Sequence, residues 1–524
     1  MNITGKNLIG YDWSSKNPSV FQAYNPYSGT LLPEKFHTAS TQETETALLL
    51  AARCFPIFSQ LSAERRADFL SAICQEILNL GDTLLERANL ETGLPLPRLK
   101  NERARTIKQI SQFADLLKDG TWVNATLDTT TPVTLRKMNV PLGPVAVFGS
   151  SNFPFAYSVA GVDTGPALAA GCPVIVKAHP AHPGVSELTA QAILKAAIQT
   201  NMPEGVISLL FDDGYTVAEQ IVKHPSIKAV AFTGSIKGGM ALHHLVNERK
   251  DPIPVYAEMG SVNPIVILPA TLKQNSERIA KQLVSSITTN GGQFCTKPGL
   301  LFLLNTLELE KFKEDLKHEL TQIEPATLLT QGIAKNFEKS YSNVAQTHEV
   351  NQAARSGQVT DGQNSAVPVL ASTDAITFIS NPNLKEEIFG PYSLLVIAEN
   401  HQQMKDALST LDGQLTASIY WEEKEWNEGM DVLKLLQERS GRVIINGVPT
   451  GVEVSTAMHH GGPFPATIFP YFSSVGKDSI LRFVRPQTFQ NWPDELLPPA
   501  LQNSNPTGIM RRVDDNWTSD PLQT

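Results

Sequence analysis

Hydrophobic residues recur with the spacing of an α-helix in the first part of the chain, from residue 41 to about residue 120. Apolar positions three and four residues apart, interrupted by short polar breaks, are typical of several amphipathic helices in succession. Ser40 or Thr41, followed by Glu43, has the pattern of a helix N-cap. We therefore expect a helical opening to the chain.

The pattern changes at Pro144, where short β-branched runs begin to alternate with helical segments. Strands are expected at 145–149, 173–178, 205–211 and 227–234, and helices at 157–170, 184–200 and 214–223. This alternation predicts a parallel sheet with crossover helices on its faces. Ligand sites form at the carboxyl ends of such strands, and a nucleotide is the ligand we expect there.

A second α/β stretch runs from about residue 260 to residue 455. Its apolar runs PIVILP, GLLFLLN, YSLLVIAE and GRVIING are expected to be strands separated by helical segments. After Arg485 the chain becomes rich in Pro, Asn and Gln. We expect an extended or partly ordered tail there, lying along a partner subunit.

The composition indicates a globular protein with two or three domains, since the chain has 524 residues, 41% of them hydrophobic and 18% charged. A net charge of -9, with no basic stripe, argues against nucleic acid or an anionic membrane as a partner. The sequence has neither a signal-peptide pattern at its start nor an apolar run of the roughly 18 residues that span a bilayer. A small-molecule partner and a cytoplasmic location are therefore expected.

Four cysteines in so long a chain do not make a disulfide framework, and no Cys or His spacing suits zinc. Cys54, Cys74 and Cys172 lie in or beside apolar helical patterns and are expected to be structural. Cys295 differs, because glycines and polar residues flank it in NGGQFCTKP, which suits a thiol at an exposed turn. A thiolate there could attack a carbonyl carbon, although an isolated cysteine is more often an inert, buried residue.

Two polar residues lie where predicted strands end. Asn152, in SSNFP, could donate a hydrogen bond to an oxyanion, but the local pattern alone favours an ordinary N-cap or turn asparagine. Lys177 ends a strand so apolar that its ammonium group should emerge into the ligand crevice of the sheet, although a surface lysine would have the same pattern.

Two further segments carry candidate chemistry. FTGSIKGG (232–239) is a glycine-bearing turn from strand to helix, which could let a phosphate approach backbone N–H groups. Glu258 follows an apolar strand and could be a general base if burial raises its pKa, whereas a lone glutamate is usually only solvated. The adjacent His459 and His460 could form a metal pair, but no third ligand is spaced nearby, so we expect no metal.

As an ordered set, these motifs resemble those of the aldehyde dehydrogenase superfamily, over residues 20 to 490. The matching segments are Asn-Phe-Pro (152–154), the strand-end Lys177, Phe-Thr-Gly-Ser (232–235), Glu-x-Gly (258–260), Gly-Gln-x-Cys (292–295) and Glu-Ile-Phe-Gly-Pro (387–391). The resemblance implies an α/β, aldehyde dehydrogenase-like fold. It would have a Rossmann-type dinucleotide-binding domain (1–121 and 143–259), an α/β catalytic domain (260–478), a small β oligomerisation element (122–142 and 479–492) and an extended tail (493–524).

The resemblance also implies roles for individual residues. Cys295 would be the nucleophile, Asn152 and the Cys295 backbone N–H would form the oxyanion hole, and Glu258 would activate the hydrolytic water. The expected cofactor-binding residues are Lys177, His179, Pro180, Gly234, Ser235 and Gly239 on the ribose and phosphate side, and Glu387 and Phe389 beside the nicotinamide and its ribose.

Departures from the common family pattern indicate a branch. Ser151 replaces the usual Trp, Ser261 replaces a Gly, and the segment 449–467 replaces the usual Gly-Gly-x-Lys-x-Ser-Gly. Together with VIVKAHPAHPG and RPQTFQNWPDELLP, that segment is similar to the branch of α-ketoglutaric semialdehyde dehydrogenases and an NADP-dependent fatty aldehyde dehydrogenase. The semialdehyde is the favoured substrate and a long-chain fatty aldehyde the alternative.

Two other classes of protein remain open at this point. A cysteine acyltransferase or thioesterase would also need a thiolate and an oxyanion hole, but it would not need the motifs at 232–235 and 387–391. A catalytically silent relative would normally have lost Cys295, Glu258 or Asn152, and all three are present.

The cofactor and the assembly are also predicted. In NAD-preferring relatives the third residue after the strand-end lysine is commonly a Glu that binds the ribose 2′-hydroxyl, and here it is Pro180. With Lys177, His179 and Lys237 supplying positive charge or donors, we expect NADP to be preferred and NAD to be usable. A homodimer or homotetramer is expected, with the alternating PVTLRKMNV as an exposed edge strand.

Overall fold

The computed structural model describes residues 2–357 and 364–522, so the last two residues of the expected tail lie outside it. Two seven-stranded sheets and one five-stranded sheet organise this part of the chain. Its α-helices are Thr41–Phe58, Ala63–Asn79, Gly81–Thr92, Leu96–Asp119, Thr164–Ala170, Pro183–Gln199, Thr216–Lys223, Ile236–Asn247, Pro269–Thr288, Leu307–Thr321, Gln331–Ala345, Ala375–Ser380, His401–Ser409 and Trp426–Arg439. None of the helices in the described ranges combines the length and apolar composition needed to cross a membrane.

The helical opening is confirmed: four helices occupy residues 41–119. The first is capped as its sequence predicts, because Ser40 accepts from the Glu43 backbone N–H and the Glu43 carboxylate accepts from the Ser40 backbone N–H. Cys54 and Cys74 are buried in the first two helices, and Cys172 is buried just before a strand.

The first large sheet contains the strands predicted after Pro144. In spatial order its strands are Val255–Glu258, Ala229–Thr233, Val145–Phe148, Val174–Lys177, Ile207–Leu210, Asn7–Ile9 and Asp12–Ser14. The first five are parallel, so their carboxyl ends meet at one edge, and the two N-terminal strands extend the sheet in antiparallel pairing.

The helix expected at 157–170 is wrong in its first half. Only Thr164–Ala170 is helical, and residues 157–163 form turns. The Val162 backbone N–H donates to the Ala156 carbonyl, and a Cβ on Gly161 would lie 2.1 Å from that same oxygen. The chain therefore folds back on itself more tightly than a helix allows, and the glycine permits that approach.

The second large sheet contains the four strands expected between 260 and 455. In spatial order its strands are Asn351–Arg355, Val369–Asp374, Tyr392–Ala398, Leu300–Leu304, Ile265–Ile267, Gln414–Tyr420 and Ser440–Ile445. The six strands after the first are parallel. Its two central strands, Leu300–Leu304 and Ile265–Ile267, are wholly apolar and buried, as expected for a sheet covered on both faces.

The five-stranded sheet joins two distant segments with the end of the chain. Its spatial order is Val484–Gln490, Leu135–Pro141, Thr126–Asp128, Arg511–Val513 and Asn516–Thr518. The strand expected at the edge, in PVTLRKMNV, is therefore an inner strand, and Val484–Gln490 is at the edge. The tail also differs from the expected extended chain, because its two strands pair with this sheet and the Arg511 side chain is fully buried.

The remaining described strands form two small pairs. Val20–Asn25 pairs with Thr30–His37, and Ala326–Thr327 pairs with Ser365–Ala366. The Phe464–Pro465 peptide bond is cis.

Candidate active site

The carboxyl edge of the first sheet brings together residues that are distant in sequence. Lys177 and Glu258 are the last residues of their strands, Gly234 follows a third strand directly, and Asn152 lies four residues beyond a fourth. These four strands are consecutive neighbours in the sheet. The structure therefore places the sequence-predicted residues of this half on one edge.

Cys295 reaches this edge on a turn that the second half of the chain supplies. The preceding residues Asn290, Gly291 and Gly292 have φ values of 52°, 65° and 65°, a left-handed run that favours Asn and Gly. Gln293 then fixes the turn, because its amide donates to the Asn290 and Thr327 carbonyls and accepts from the Leu329 N–H. The thiol is half-buried rather than fully exposed.

A cluster of three side chains surrounds the thiol. The Cys295 Sγ lies 3.6 Å from His460 Nε2, and the same nitrogen lies 2.9 Å from Glu258 Oε1. The Ser474 hydroxyl donates to the other Glu258 oxygen at 2.5 Å. Glu258 and His460 are both buried, so these contacts take place away from bulk water.

The cluster sets the protonation of its members. Burial and the neighbouring Glu258 charge raise the pKa of Cys295 well above its ordinary value. Burial alone would also raise the pKa of Glu258, but His460 and hydrogen bonds from Ser474 and Cys295 outweigh it, so this pKa is lowered. The condition named for Glu258 as a base, a pKa raised by burial, is therefore not met. The resting arrangement is a thiol beside a carboxylate that can accept its proton.

Two N–H groups at the cysteine turn are candidates to bind the oxygen on which negative charge develops when Cys295 attacks a carbonyl carbon. The Asn152 side-chain amide donates to the Gln293 carbonyl at 3.0 Å, two residues before the thiol. In the described ranges the Cys295 backbone N–H has no acceptor, whereas its carbonyl is held by Asn263 at 2.8 Å. One amide hydrogen and one backbone N–H are therefore free for an oxyanion.

The turn after Phe232 has features of a phosphate site. Ser235 caps helix Ile236–Asn247 by accepting from the Gly238 N–H at 3.1 Å, and both Gly234 and Ser235 are exposed. This turn is chemically suited to a phosphate group, since the first residues of the helix are exposed and the helix dipole favours an anion. Gly239 is different: it is buried, and a Cβ there would lie 2.5 Å from Met259 Sδ, so it serves helix–strand packing.

Lys177 ends strand Val174–Lys177, and His179 and Pro180 follow it. The Lys177 ammonium group donates to the Asp212 carbonyl at 2.6 Å. Burial, together with His182 and Lys177, lowers the pKa of His179 well below its ordinary value, so this ring is neutral at pH 7 and does not supply the expected positive charge. His179 and Pro180 line a cleft of about 690 Å³ whose opposite wall includes Tyr24 and Leu329.

The Glu387 carboxylate lies close to the end of the strand that carries Glu258, and a glycine leaves room for it there. A Cβ on Gly260 would lie 2.3 Å from Glu387 Oε2, so the Glu-x-Gly motif leaves space for this carboxylate. Burial raises the pKa of Glu387 to about 7, while the nearby Lys297 charge opposes the rise. Lys297 is fully buried and donates to the Ile388 and Tyr392 carbonyls at 3.1 and 2.9 Å, which anchors the segment carrying Glu387 and the half-buried Phe389.

Sequence reasoning missed three residues of the site. His460 was considered only as a metal ligand, Lys297 lies two residues after the cysteine without any motif of its own, and Gln293 was part of a motif without an assigned role. The one available signal was a lysine next to the cysteine motif and shortly before an apolar strand, which begins three residues later at Leu300. The ligand atoms of Glu258, Cys295 and His460 lie within 4.8 Å of one another and are joined by direct contacts. The absence of a metal stays a prediction.

Comparison with known proteins agrees with the geometry. The profile of the aldehyde dehydrogenase family matches residues 13–463. Alpha-ketoglutaric semialdehyde dehydrogenase 2 of Azospirillum brasilense is 42% identical over 98% of this chain and 99% of its own. Alpha-ketoglutaric semialdehyde dehydrogenase of Acinetobacter baylyi is 40% identical over 97% of this chain and 98% of its own.

The fold is also similar to that of a solved structure. 1-Pyrroline-5-carboxylate dehydrogenase from Thermus with bound NAD superimposes with a TM-score of 0.81 at 18% identity, covering 93% of this chain and 92% of that chain. The α/β fold with Rossmann-like sheets is therefore that of the aldehyde dehydrogenases.

Proposed function

Because this chain belongs to the aldehyde dehydrogenase family, we propose that it oxidises 2,5-dioxopentanoate (α-ketoglutaric semialdehyde) to 2-oxoglutarate. The observation that carries the chemistry is the contact of Cys295 with His460, and through it with Glu258, at the carboxyl edge of the first sheet. The substrate rests on two full-length relatives at 40–42% identity that have this semialdehyde in their names.

The residues divide the reaction between them. Glu258, kept ionised by His460 and Ser474, takes the thiol proton, and the Cys295 sulfur bonds to the aldehyde carbon. The amide of Asn152 and the Cys295 N–H stabilise the tetrahedral oxyanion. Its collapse expels hydride and leaves a Cys295 thioester. Once Glu258 has released the thiol proton to solvent, it removes a proton from the water that attacks the thioester, and the Cys295 thiolate leaves as the acid forms.

The cofactor supplies one piece of chemistry, the acceptance of hydride. Members of the family use NAD or NADP, and the residues placed to hold the dinucleotide are Lys177, Gly234 and Ser235 on the phosphate side and Glu387 with Phe389 beside the reacting ring. Lys297 keeps the last two in place through its bonds to the 388–392 backbone.

NADP is proposed as the preferred cofactor, with NAD also accepted. The support is the absence of a carboxylate at Pro180, together with Lys177 and the exposed Lys237 nearby. The Asp212 carboxylate, whose charge acts on Lys177, is held in its loop by the Gly214 and Val217 N–H groups. The measurement is kcat/KM for both cofactors at saturating aldehyde, with Pro180→Glu as the paired variant. The variant should shift the ratio toward NAD, and an unchanged ratio would contradict the role of this position.

The protein is also proposed to act as a homo-oligomer in the cytoplasm. The support is an edge strand in the five-stranded sheet, and four free cysteines that a reducing compartment would preserve.

The reaction is tested by comparing 2,5-dioxopentanoate with long-chain and short aliphatic aldehydes, following NADPH at 340 nm. The semialdehyde should have the highest kcat/KM. A higher value for the long-chain aldehydes would overturn the substrate, and turnover of thioesters without any gain at 340 nm would favour an acyltransferase. Cys295→Ala should abolish oxidation while the unfolding temperature stays within a few degrees of wild type.

A further inference from the structure

Two arginines lie near the catalytic thiol without forming a salt bridge of their own in residues 2–357 and 364–522. Arg105 and Arg442 both lie close enough to Cys295 for their charges to act on it, since Arg105 opposes the rise of the Cys295 pKa and the Cys295 charge acts on Arg442. Within the described ranges neither arginine is within 4.0 Å of a carboxylate. Arg98, on the same helix as Arg105, does have one, in Glu102.

Arg105 also lacks hydrogen-bond partners. Its Nε and Nη2 atoms are buried, and neither has an acceptor in the described part of the chain. Arg105 as a whole is half-buried, but buried N–H groups without acceptors are costly, because the hydrogen bonds lost from water are not replaced. Arg442, by contrast, donates from Nη1 and Nη2 to the Gly451 and Pro449 carbonyls and so fixes a loop.

Aromatic rings connect Arg105 to the cysteine turn. The guanidinium carbon lies 5.6 Å from the ring centres of both Phe153 and Tyr157. Phe153 is next to Asn152 in sequence, and its ring centre is 5.3 Å from that of Phe294, which precedes Cys295. Arg105 is thus one aromatic layer away from the two residues that would hold the reacting carbonyl.

The surroundings of these rings are apolar. Phe153 and Tyr157 pack in one cluster with Val454 and, at its margin, Phe294 and Val452. A short carbon chain would lie against such a wall, while a terminal charge would not be stabilised by it. The unpaired guanidinium supplies what the wall lacks: fixed donors whose geometry matches a carboxylate.

We propose that Arg105 binds the carboxylate at the far end of the substrate and selects aldehydes with an anionic terminus over neutral aldehydes of equal length. This inference rests on the proposed function for the presence of a carboxylate in the substrate. It assigns Arg105 to substrate specificity, and it leaves the steps at the aldehyde carbon to Cys295, Asn152 and Glu258.

The test compares 5-oxopentanoate with pentanal, two aldehydes of the same length that differ in the terminal charge. In wild type the anionic aldehyde should have the higher kcat/KM. Arg105→Gln should lower kcat/KM for 5-oxopentanoate by about 10- to 100-fold, mainly through KM, and leave pentanal within about twofold, since only the charged hydrogen bonds are lost. Arg105→Lys keeps the positive charge but loses the planar guanidinium that can donate two parallel hydrogen bonds. Its kcat/KM for 5-oxopentanoate should therefore lie between those of wild type and Arg105→Gln.

Lys108→Gln is the matched control. Lys108 is one turn further along the same helix, is exposed, and is paired with Glu453, so the variant removes one positive charge without touching the pocket. It should leave both aldehydes unchanged. Equal losses for the two aldehydes in Arg105→Gln, or a loss as large in Lys108→Gln, would overturn the inference.

A second measurement is independent of turnover. Glutarate, a dicarboxylate of the same length, should slow the alkylation of Cys295 by iodoacetamide in wild type and in Lys108→Gln, but not in Arg105→Gln. Absence of protection in wild type would overturn the inference even if the semialdehyde is oxidised. Protection that depends on Arg105, in an enzyme that does not oxidise 2,5-dioxopentanoate, would instead support the inference and refute the proposed substrate.

Discussion

At the scale of single residues, the site keeps its nucleophile protonated until it is needed. The raised pKa of Cys295 comes from burial and from the Glu258 charge, while His460 and Ser474 stabilise that charge on Glu258. A thiol held in this way resists oxidation and alkylation, because the thiolate is the reactive form. The same carboxylate that suppresses the thiolate is the group that can remove its proton.

This arrangement predicts an effect of Glu258→Gln on the free enzyme. Removing the negative charge should lower the pKa of Cys295 by about one to three units, because a like charge at contact distance disfavours the thiolate by that order. Iodoacetamide should therefore react faster with the variant at pH 8, even though steady-state oxidation falls. The measurement is the alkylation rate from pH 6 to pH 10.

Glu387→Gln gives the matched comparison. Its charge also raises the pKa of Cys295, but as the smallest of the named causes, so the alkylation profile should move less. Equal displacement of the two profiles, or none for Glu258→Gln, would show that Glu258 does not control the thiol.

What the sequence could reveal at this scale depended on local motifs. Cys295, Glu258 and Asn152 each lie in a short recognisable segment, and the structure brings them together. His460 and Arg105 could not be found in this way, because their relevance comes from tertiary contacts with residues 165 positions away and on another element. The sequence contains eleven histidines, and nothing local distinguishes this one.

At the scale of elements, the cysteine turn and the Glu-Ile-Phe-Gly-Pro segment fit together through glycine. A Cβ on Gly292 would lie 2.3 Å from the Gly390 carbonyl oxygen, and φ at Gly292 is 65°. The glycines of the two motifs therefore allow two backbones to pass within contact distance, which places the residues that would hold the nicotinamide beside the thiol.

Gly292→Ala should consequently damage the site. The left-handed backbone alone costs an alanine about 1–2 kcal/mol, and the clash with Gly390 adds to it. We expect at least a tenfold loss of kcat and a lower unfolding temperature, measured by steady-state kinetics and thermal denaturation. Gly332→Ala is the control, because its Cβ would meet only Thr330 Oγ1 at an ordinary 3.7 Å. Wild-type kinetics in Gly292→Ala would mean that the turn relaxes without consequence.

The type of each element could be predicted where the hydrophobic periodicity extended over many residues. The prediction failed where tertiary contacts force the chain into a turn. The apolar runs after Pro144 became strands, and each predicted range exceeds the observed one by one to three residues. The stretch 157–163 was expected to be helical because its apolar residues have helical spacing, but Gly161 and the Val162–Ala156 hydrogen bond form a tight turn there. Burial beneath the aromatic wall competes with helix propensity at this point.

At the scale of the whole molecule, the two large sheets place the catalytic groups on different halves of the chain. Glu258 ends a strand of the first sheet and Asn152 follows another, whereas Cys295 lies between strands Ile265–Ile267 and Leu300–Leu304 of the second. The site therefore forms only when both halves are folded and packed. The alternation of strands and helices predicted both large sheets. It could not predict that the last residues of the described chain join the five-stranded sheet, because nothing in the sequence of Arg511–Val513 indicates the strand with which it pairs.

The five-stranded sheet leads to a prediction about assembly. Its edge strand Val484–Gln490 pairs on one side with Leu135–Pro141 and has no strand on its other side in the described ranges. Trp492 follows it and is 47% exposed, with its ring 5.2 Å from that of Phe489. An open edge next to an exposed aromatic residue is a surface that a second copy of the chain would cover.

Light scattering at micromolar concentration should therefore give a mass of two or four times 57.2 kDa. Trp492→Glu should shift this mass toward the monomer, because a charge buried in an interface without a partner is strongly unfavourable. Trp426→Glu is the control: it makes the same change at a tryptophan that is 49% exposed on a helix beside the second large sheet, and it should leave the mass unchanged. A monomeric wild type would refute the assembly, and a Trp492→Glu variant of unchanged mass would place the interface on another surface.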